Sequence, residues 1–163
     1  MKIDMGPVGP LGMDVTITDG VLYIAGSNHW LEWAHHVLPG ARRREIRWGQ
    51  NIADIIEYRG DIHTIAGHSV GGTVACIATR ITRQIFPHCL PIYLYTYGAK
   101  RPPQGYRASG RHYRIKGDIV PNLPPWRPKL ALVELDNEGL SRREAHGPRS
   151  YYEQMAKDDY DDR

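Results

Sequence analysis

Cysteine is scarce. Cys76 and Cys89 are the only two in a chain of 163 residues, too few for a disulfide framework. Both read as small core residues of a protein made in a reducing compartment. Long apolar runs are also missing: no stretch nears the ~18 residues that a membrane-spanning helix needs. The opening Met1-Lys2-Ile3-Asp4-Met5-Gly6-Pro7 holds no apolar core of a leader peptide. A cytoplasmic protein, or one released without a signal peptide, is therefore expected. Neither sign of charge dominates, with a net charge of +3 and a pI near 8.9. The excess is local: Arg42, Arg43, Arg44 and Arg47 form a basic cluster, and Asp158, Asp159, Asp161 and Asp162 an acidic tail. Both read as solvated surface. A nucleic-acid binder needs a longer basic face with aromatics placed for stacking, so no nucleic-acid partner is expected. The arginines could meet an anionic lipid surface. Phe occurs once, against 10 Tyr and 4 Trp. Internal repeats and low-complexity stretches are absent.

What is present is the make-up of an ordinary globular protein, 41% apolar and 24% charged. A chain of this length suits one domain and a real core. The polar–apolar alternation from Asp14 to Thr18, the turn Asp19-Gly20 and the apolar Val21 to Ala25 read as a hairpin. Trp30 to Leu38 reads as a short helix stopped by Pro39-Gly40, residues 44–48 as a short strand or turn, and 50–58 as a helix closed by Gly60. A β-branched strand follows at 62–66, a sharp bend at 67–72 and a helix at 70–85 ended by Pro87. Strands are expected at 92–97, 112–115 and 130–135, with a terminal helix from Pro148 to Met155. Strands alternating with helices imply an α/β fold with a mostly parallel sheet flanked by helices. Ligands of such sheets sit beyond the carboxyl ends of the strands. Gly26-Ser27, Gly67 to Gly71, Gly98 and Gly117-Asp118 all follow expected strands, so they should converge on that edge.

Gly67-His68-Ser69-Val70-Gly71 lies between a strand and a helix, which is the setting of a nucleophile elbow. A turn this tight exposes the Ser69 hydroxyl and aims the Val70 N–H, at the helix start, toward a developing oxyanion. A serine nucleophile needs a base, and the base an orienting acid. In elbow-bearing α/β folds the chain order is serine, acid, histidine. The histidines after Ser69 are His88, His112 and His146; the acids before His146 are Asp118, Glu134, Asp136, Glu138 and Glu144. Asp118 follows a strand and a glycine, and of the three histidines His146 alone lies beyond it. Ser69, Asp118 and His146 are therefore the expected catalytic set. A second oxyanion donor should come from a loop after an early strand, and Ser27 is the evident source. The remaining histidines, including His29, His35, His36 and His63, show no metal-ligand spacing, so no metal and no cofactor are expected.

These residues resemble those of the class 3, or fungal-type, lipases. The segment from Gly26 to Trp33 is similar to the one that carries the family's oxyanion serine or threonine. Gly67-His68-Ser69-Val70-Gly71-Gly72 is similar to the family's Gly-His-Ser-Leu-Gly-Gly. Tyr95 to Pro102 resembles the family's Tyr-Thr-Phe-Gly-x-Pro-Arg stretch. Gly117 to Pro125 resembles its acid segment, and Ala145 to Tyr152 its histidine segment. The resemblance runs from about residue 21 to 152. It implies a single α/β-hydrolase-like domain over residues 1–163, reduced in size, that hydrolyses carboxylic esters through an acyl-enzyme. The interval between Ser27 and Ser69 is short for the family. Little room is left for a lid helix, unless Trp30 to Leu38 serves, which favours an open site and short-chain esters.

Trp30, Trp33, Tyr97 and Ile119, with Trp126, are the candidates to line an acyl site. The same catalytic set would equally serve a phospholipase, a thioesterase, or a polyester or cell-wall esterase. A degenerate hydrolase fold acting as a binding protein is the alternative of another class.

Overall fold

The computed structural model describes residues 14–26, 40–88, 92–127 and 129–161. Strands β1 (Val15–Thr18) and β2 (Val21–Ile24) pair antiparallel around Asp19-Gly20. Both turn residues have positive φ, 47° and 73°, the twist that a two-residue hairpin needs. From β2 onward every pairing is parallel: β3 (Thr64–His68), β4 (Tyr93–Tyr97), β5 (Arg111–Ile115) and β6 (Val133–Leu135) follow in chain order across one six-stranded sheet. The strand expected at 62–66 thus begins two residues later at the same length, and the one expected at 130–135 keeps only its last three residues. Among the described residues no helix is long and apolar enough to cross a membrane.

Helices α1 (Ala41–Arg59) and α2 (Val70–Ile85) connect successive parallel strands. Crossovers of constant hand that always step in the same direction lay their helices on the same face. Trp48, Ile52 and Ile56 of α1 and Val74, Ala75, Cys76 and Ala78 of α2 accordingly join Val15, Ile17, Leu22, Ile24, Ile65 and Leu94 in one core. Burial holds the Cys76 thiol up at about 12, so this cysteine is an inert core residue. The other face is packed at its carboxyl end by α3 (Arg142–Ala145) and α4 (Pro148–Asp161). There Ile115, Leu135, Ala145 and Tyr151 form a second core, with Tyr97, Tyr113 and Met155 against it.

The strand or turn expected at 44–48 is instead part of α1, which runs unbroken through the helix expected at 50–58. Its buried positions, Ala41, Glu45, Trp48, Ile52, Ala53 and Ile56, keep helical spacing. The period is hidden in the sequence because one core position is an acid. Glu45 has no exposed surface. Its carboxylate pairs with Lys100, and its Oε2 accepts from Arg127 Nη1 at 2.9 Å. Lys100 lies three residues beyond β4, at the carboxyl edge of the sheet. The Lys100 carbonyl accepts from Thr73 Oγ1 of α2 at 2.9 Å. Arg101 N and Nη1 donate to the Leu123 and Pro125 carbonyls, at 2.7 Å and 2.9 Å. The cluster therefore ties the 118–127 loop to both core helices. Glu45→Ala strands two buried cations and should cost about 3–5 kcal/mol, a large share of a typical folding free energy. Denaturant unfolding will read this as a lowered midpoint at constant slope; a loss below about 1 kcal/mol would make the cluster dispensable.

Candidate active site

Strand β3 ends at His68 and α2 starts at Val70, so Ser69 alone makes the bend. Its backbone sits at φ 55°, ψ −122°, a conformation that costs a non-glycine residue about 1–3 kcal/mol. The flanking glycines make the bend possible. A Cβ on Gly67 would stand 2.5 Å from the Gly71 carbonyl oxygen, and one on Gly71 would stand 2.3 Å from the Ile24 carbonyl oxygen. The Ser69 N–H donates to the Tyr97 carbonyl at 2.9 Å, which pins the bend to β4. Although Ser69 occupies the position before the helix, its hydroxyl makes no cap. It is directed instead at a histidine.

That histidine is His146, which ends α3. Its Nε2 lies 2.9 Å from Ser69 Oγ, and its Nδ1 lies 2.9 Å from Asp118 Oδ2. The structure thus brings the three expected residues into one hydrogen-bonded line, from three separate segments of the carboxyl edge. Asp118 follows β5 and is 2% exposed. A buried carboxylate is tolerated only if its oxygens are satisfied. Oδ1 accepts from Val120 N at 2.9 Å, and Oδ2 accepts from Tyr151 Oη at 2.6 Å as well as from His146. With Nδ1–H donating to the carboxylate, Nε2 is left to accept the serine proton. Burial first, and Asp118 second, push the Tyr151 phenol far above its ordinary value. It therefore stays a neutral donor.

His68 backs this arrangement. Its Nε2–H donates to the His146 carbonyl at 2.7 Å, and the two rings lie 4.9 Å apart. Burial, with His146 beside it, brings its pKa from 6.5 to about 4. The unfolded chain therefore binds a proton near pH 6.5 that the folded chain refuses. The stability due to neutral His68 is complete above pH 6.5 and is lost as pH falls toward 4. His112, also lowered by burial, acts in the same sense. In His68→Gln, which keeps a donor for the His146 carbonyl, the fall in unfolding free energy over this window should be one proton shallower than in wild type. Equal slopes would remove His68 from the acid response.

The other acids after Ser69 have structural partners. Glu134 pairs with Arg114, Asp136 with Lys116, and Glu144 closes a capping box with Ser141 at the start of α3. Buried His112 bonds Thr96 and the Ala108 carbonyl, while His63 is exposed and bonds Thr64 and the Asp19 carbonyl. Val70 opens α2, so its N–H has no intrahelical acceptor. Ser27, Trp30, Trp33 and the helix expected at Trp30 to Leu38 lie outside the described residues, as does Cys89. Ile119 follows Asp118 directly and is 46% exposed. Tyr97 stacks on Tyr113 at 5.5 Å and lines a cavity of about 530 Å³ with Tyr23, His68, Pro148, Tyr151, Tyr152, Met155 and Ala156. Sequence reasoning missed the role of Tyr151. The nearest signal was an aromatic pair in the first turn of the helix after His146.

No family model and no curated protein sequence matches the chain. Solved structures do. Lipase II from Rhizopus niveus superimposes with a TM-score of 0.54 at 16% identity, over 80% of this chain and 63% of that one. A triacylglycerol lipase from Penicillium expansum superimposes with a TM-score of 0.51 at 18% identity, over 81% and 66%. The chain has a lipase-like α/β-hydrolase fold. It spans about two thirds of the length of these lipases. Within the lipase-like fold, the elbow and the carboxyl-edge loops are the part that carries the Ser69–His146–Asp118 line.

Proposed function

We propose that the chain is a carboxylic ester hydrolase with Ser69 as its nucleophile. The observation that carries this reading is the unbroken line Ser69–His146–Asp118 on a strained elbow. Asp118 holds His146 with the proton on Nδ1. His146 Nε2 takes the Ser69 proton as Oγ attacks the ester carbonyl. The oxyanion then receives the Val70 N–H and a second donor from Ser27. Collapse of the adduct returns the proton to the leaving alcohol. Water, deprotonated by His146, then attacks the acyl-enzyme and regenerates the serine. Every step uses protein groups and water, and no cofactor enters.

Hydrolysis of p-nitrophenyl esters of increasing acyl length, with and without detergent micelles, tests the reading together with labelling by a fluorophosphonate. Turnover and labelling at Ser69 are the expected result. The preferred chain length, and any jump at micelle formation, separates an esterase from a lipase or phospholipase. A folded protein that neither turns over esters nor labels at Ser69 would leave a binding role on a hydrolase fold.

A further inference from the structure

A second cavity, of about 720 Å³, lies at the edge of the sheet opposite to Ser69. It is built where α2 ends and where β4 and β5 begin, and about 20 Å of helix separate Arg83 from the elbow. Cavities of this size hold small organic ligands. One part of the wall is apolar, made of Phe86, Pro87, Ile92, Tyr93 and Leu94, with Tyr93 61% exposed. The other part is cationic and carries Arg83 and Arg111 with Ser109. All the lining residues fall between Thr82 and Arg111, inside a stretch, residues 62–117, that contains no Asp or Glu. Neither arginine has an ion pair among the described residues.

Arg83 is nevertheless held in place. Its Nη2 donates to the Ile92 carbonyl at 2.6 Å and its Nη1 to the Ser109 carbonyl at 3.0 Å. The guanidinium therefore sits between the entries to β4 and β5. Its acceptors are neutral, so they fix the charge without compensating it. Arg111 opens β5, is exposed, and bonds the Tyr113 hydroxyl. A fixed cation and an exposed one on an apolar wall match one class of small molecule. We infer that this cavity is a binding site for an amphiphilic carboxylate, with its tail on Phe86, Pro87 and Tyr93 and its charge on Arg83 and Arg111. An ionised oxygen takes stronger hydrogen bonds from a guanidinium than a neutral one does. Arg83 has already given one N–H from each Nη, so the donors left suit the two oxygens of a carboxylate better than the three of a phosphate. The site stands apart from the ester hydrolase reading; the acid that such a reaction releases is one member of the class.

Equilibrium dialysis of Ser69→Ala protein against octanoate, octanamide and acetate tests this. Octanoate should bind as one molecule per chain. Octanamide keeps the tail and loses the charge, and acetate keeps the charge and loses the tail. Each should bind more weakly than octanoate by about tenfold or more. Arg111→Gln changes an exposed side chain without an ion pair, so the variant should fold as its parent does, and its thermal midpoint checks this. It should weaken octanoate by about tenfold and leave octanamide unchanged. Equal binding of octanoate and octanamide, octanoate binding unmoved by Arg111→Gln, or several octanoates per chain would each overturn the proposal. Tighter binding of octyl phosphate than of octanoate would overturn it as well, because the site would then be one for phosphate. Octanoate binding that depends on Arg111, in a protein whose wild type turns over no ester, would reject the hydrolase reading and leave the site standing.

Discussion

Ser69→Ala should lower ester turnover by about a millionfold, the scale on which serine hydrolases lose rate when the nucleophile is removed. The variant should stay folded. The hydroxyl makes no helix cap and, among the described residues, bonds His146 alone, so its loss leaves the β3–α2 junction and the buried Asp118 untouched. Alanine inherits the same strained backbone, because a Cβ is present in both residues; the change in stability should stay within about 1 kcal/mol. Ser69→Gly separates the two roles further. It removes the nucleophile and also relieves the positive φ of 55°, so it should be inactive and more stable than wild type by about 1 kcal/mol or more. Initial rates on a short p-nitrophenyl ester, with denaturant midpoints for the same proteins, measure both. Activity within tenfold of wild type in either variant would exclude Ser69 as nucleophile. A stable, inactive Ser69→Gly would show that the fold carries strain at this position for its chemistry.

Much of this is legible in the sequence, for identifiable reasons. The elbow is a local feature: a β-branched strand, glycines where a Cβ would strike backbone, and an apolar helix period lie within one continuous stretch. The α2 bounds expected from that period, 70–85, are those observed. Asp118 and His146 could be chosen by chain order because the fold constrains order. What escaped was non-local. The first half of α1 does not read as helix in the sequence, because Glu45, a core residue, scores as surface unless Lys100 and Arg127, more than fifty residues away in the chain, are known to neutralise it. Tyr151 escaped for the same reason. Its hydroxyl meets Asp118 only after α4 folds back over the second face, and nothing in the local pattern distinguishes it from Tyr152, which is 76% exposed.

Asp118→Asn tests the line from its far end, and the expected loss is about ten-thousandfold in kcat. Volume is preserved, so packing is not the cause. Each oxygen of Asp118 is already an acceptor: Oδ1 from Val120 N, Oδ2 from His146 and Tyr151. An amide offers one acceptor and one donor in place of two acceptors. If its oxygen serves His146 and Tyr151, the NH2 group opposes the Val120 N–H and a buried donor goes unsatisfied, at about 1–3 kcal/mol. If it flips, the NH2 group faces His146, which must then accept at Nδ1 and carry its proton on Nε2. That proton points at Ser69 Oγ, and the base can no longer take the serine proton. Rates and stability together tell the two orientations apart. Loss of rate with a small loss of stability indicates the flipped amide and the wrong tautomer; loss of stability with most of the rate retained indicates the unflipped one. Tyr151→Phe is the control, since it removes a donor to Asp118 yet leaves the His146 tautomer alone, and it should cost far less rate. Full activity in Asp118→Asn would mean that His146 is oriented by its backbone bond to His68 alone, and would remove Asp118 from the catalytic set.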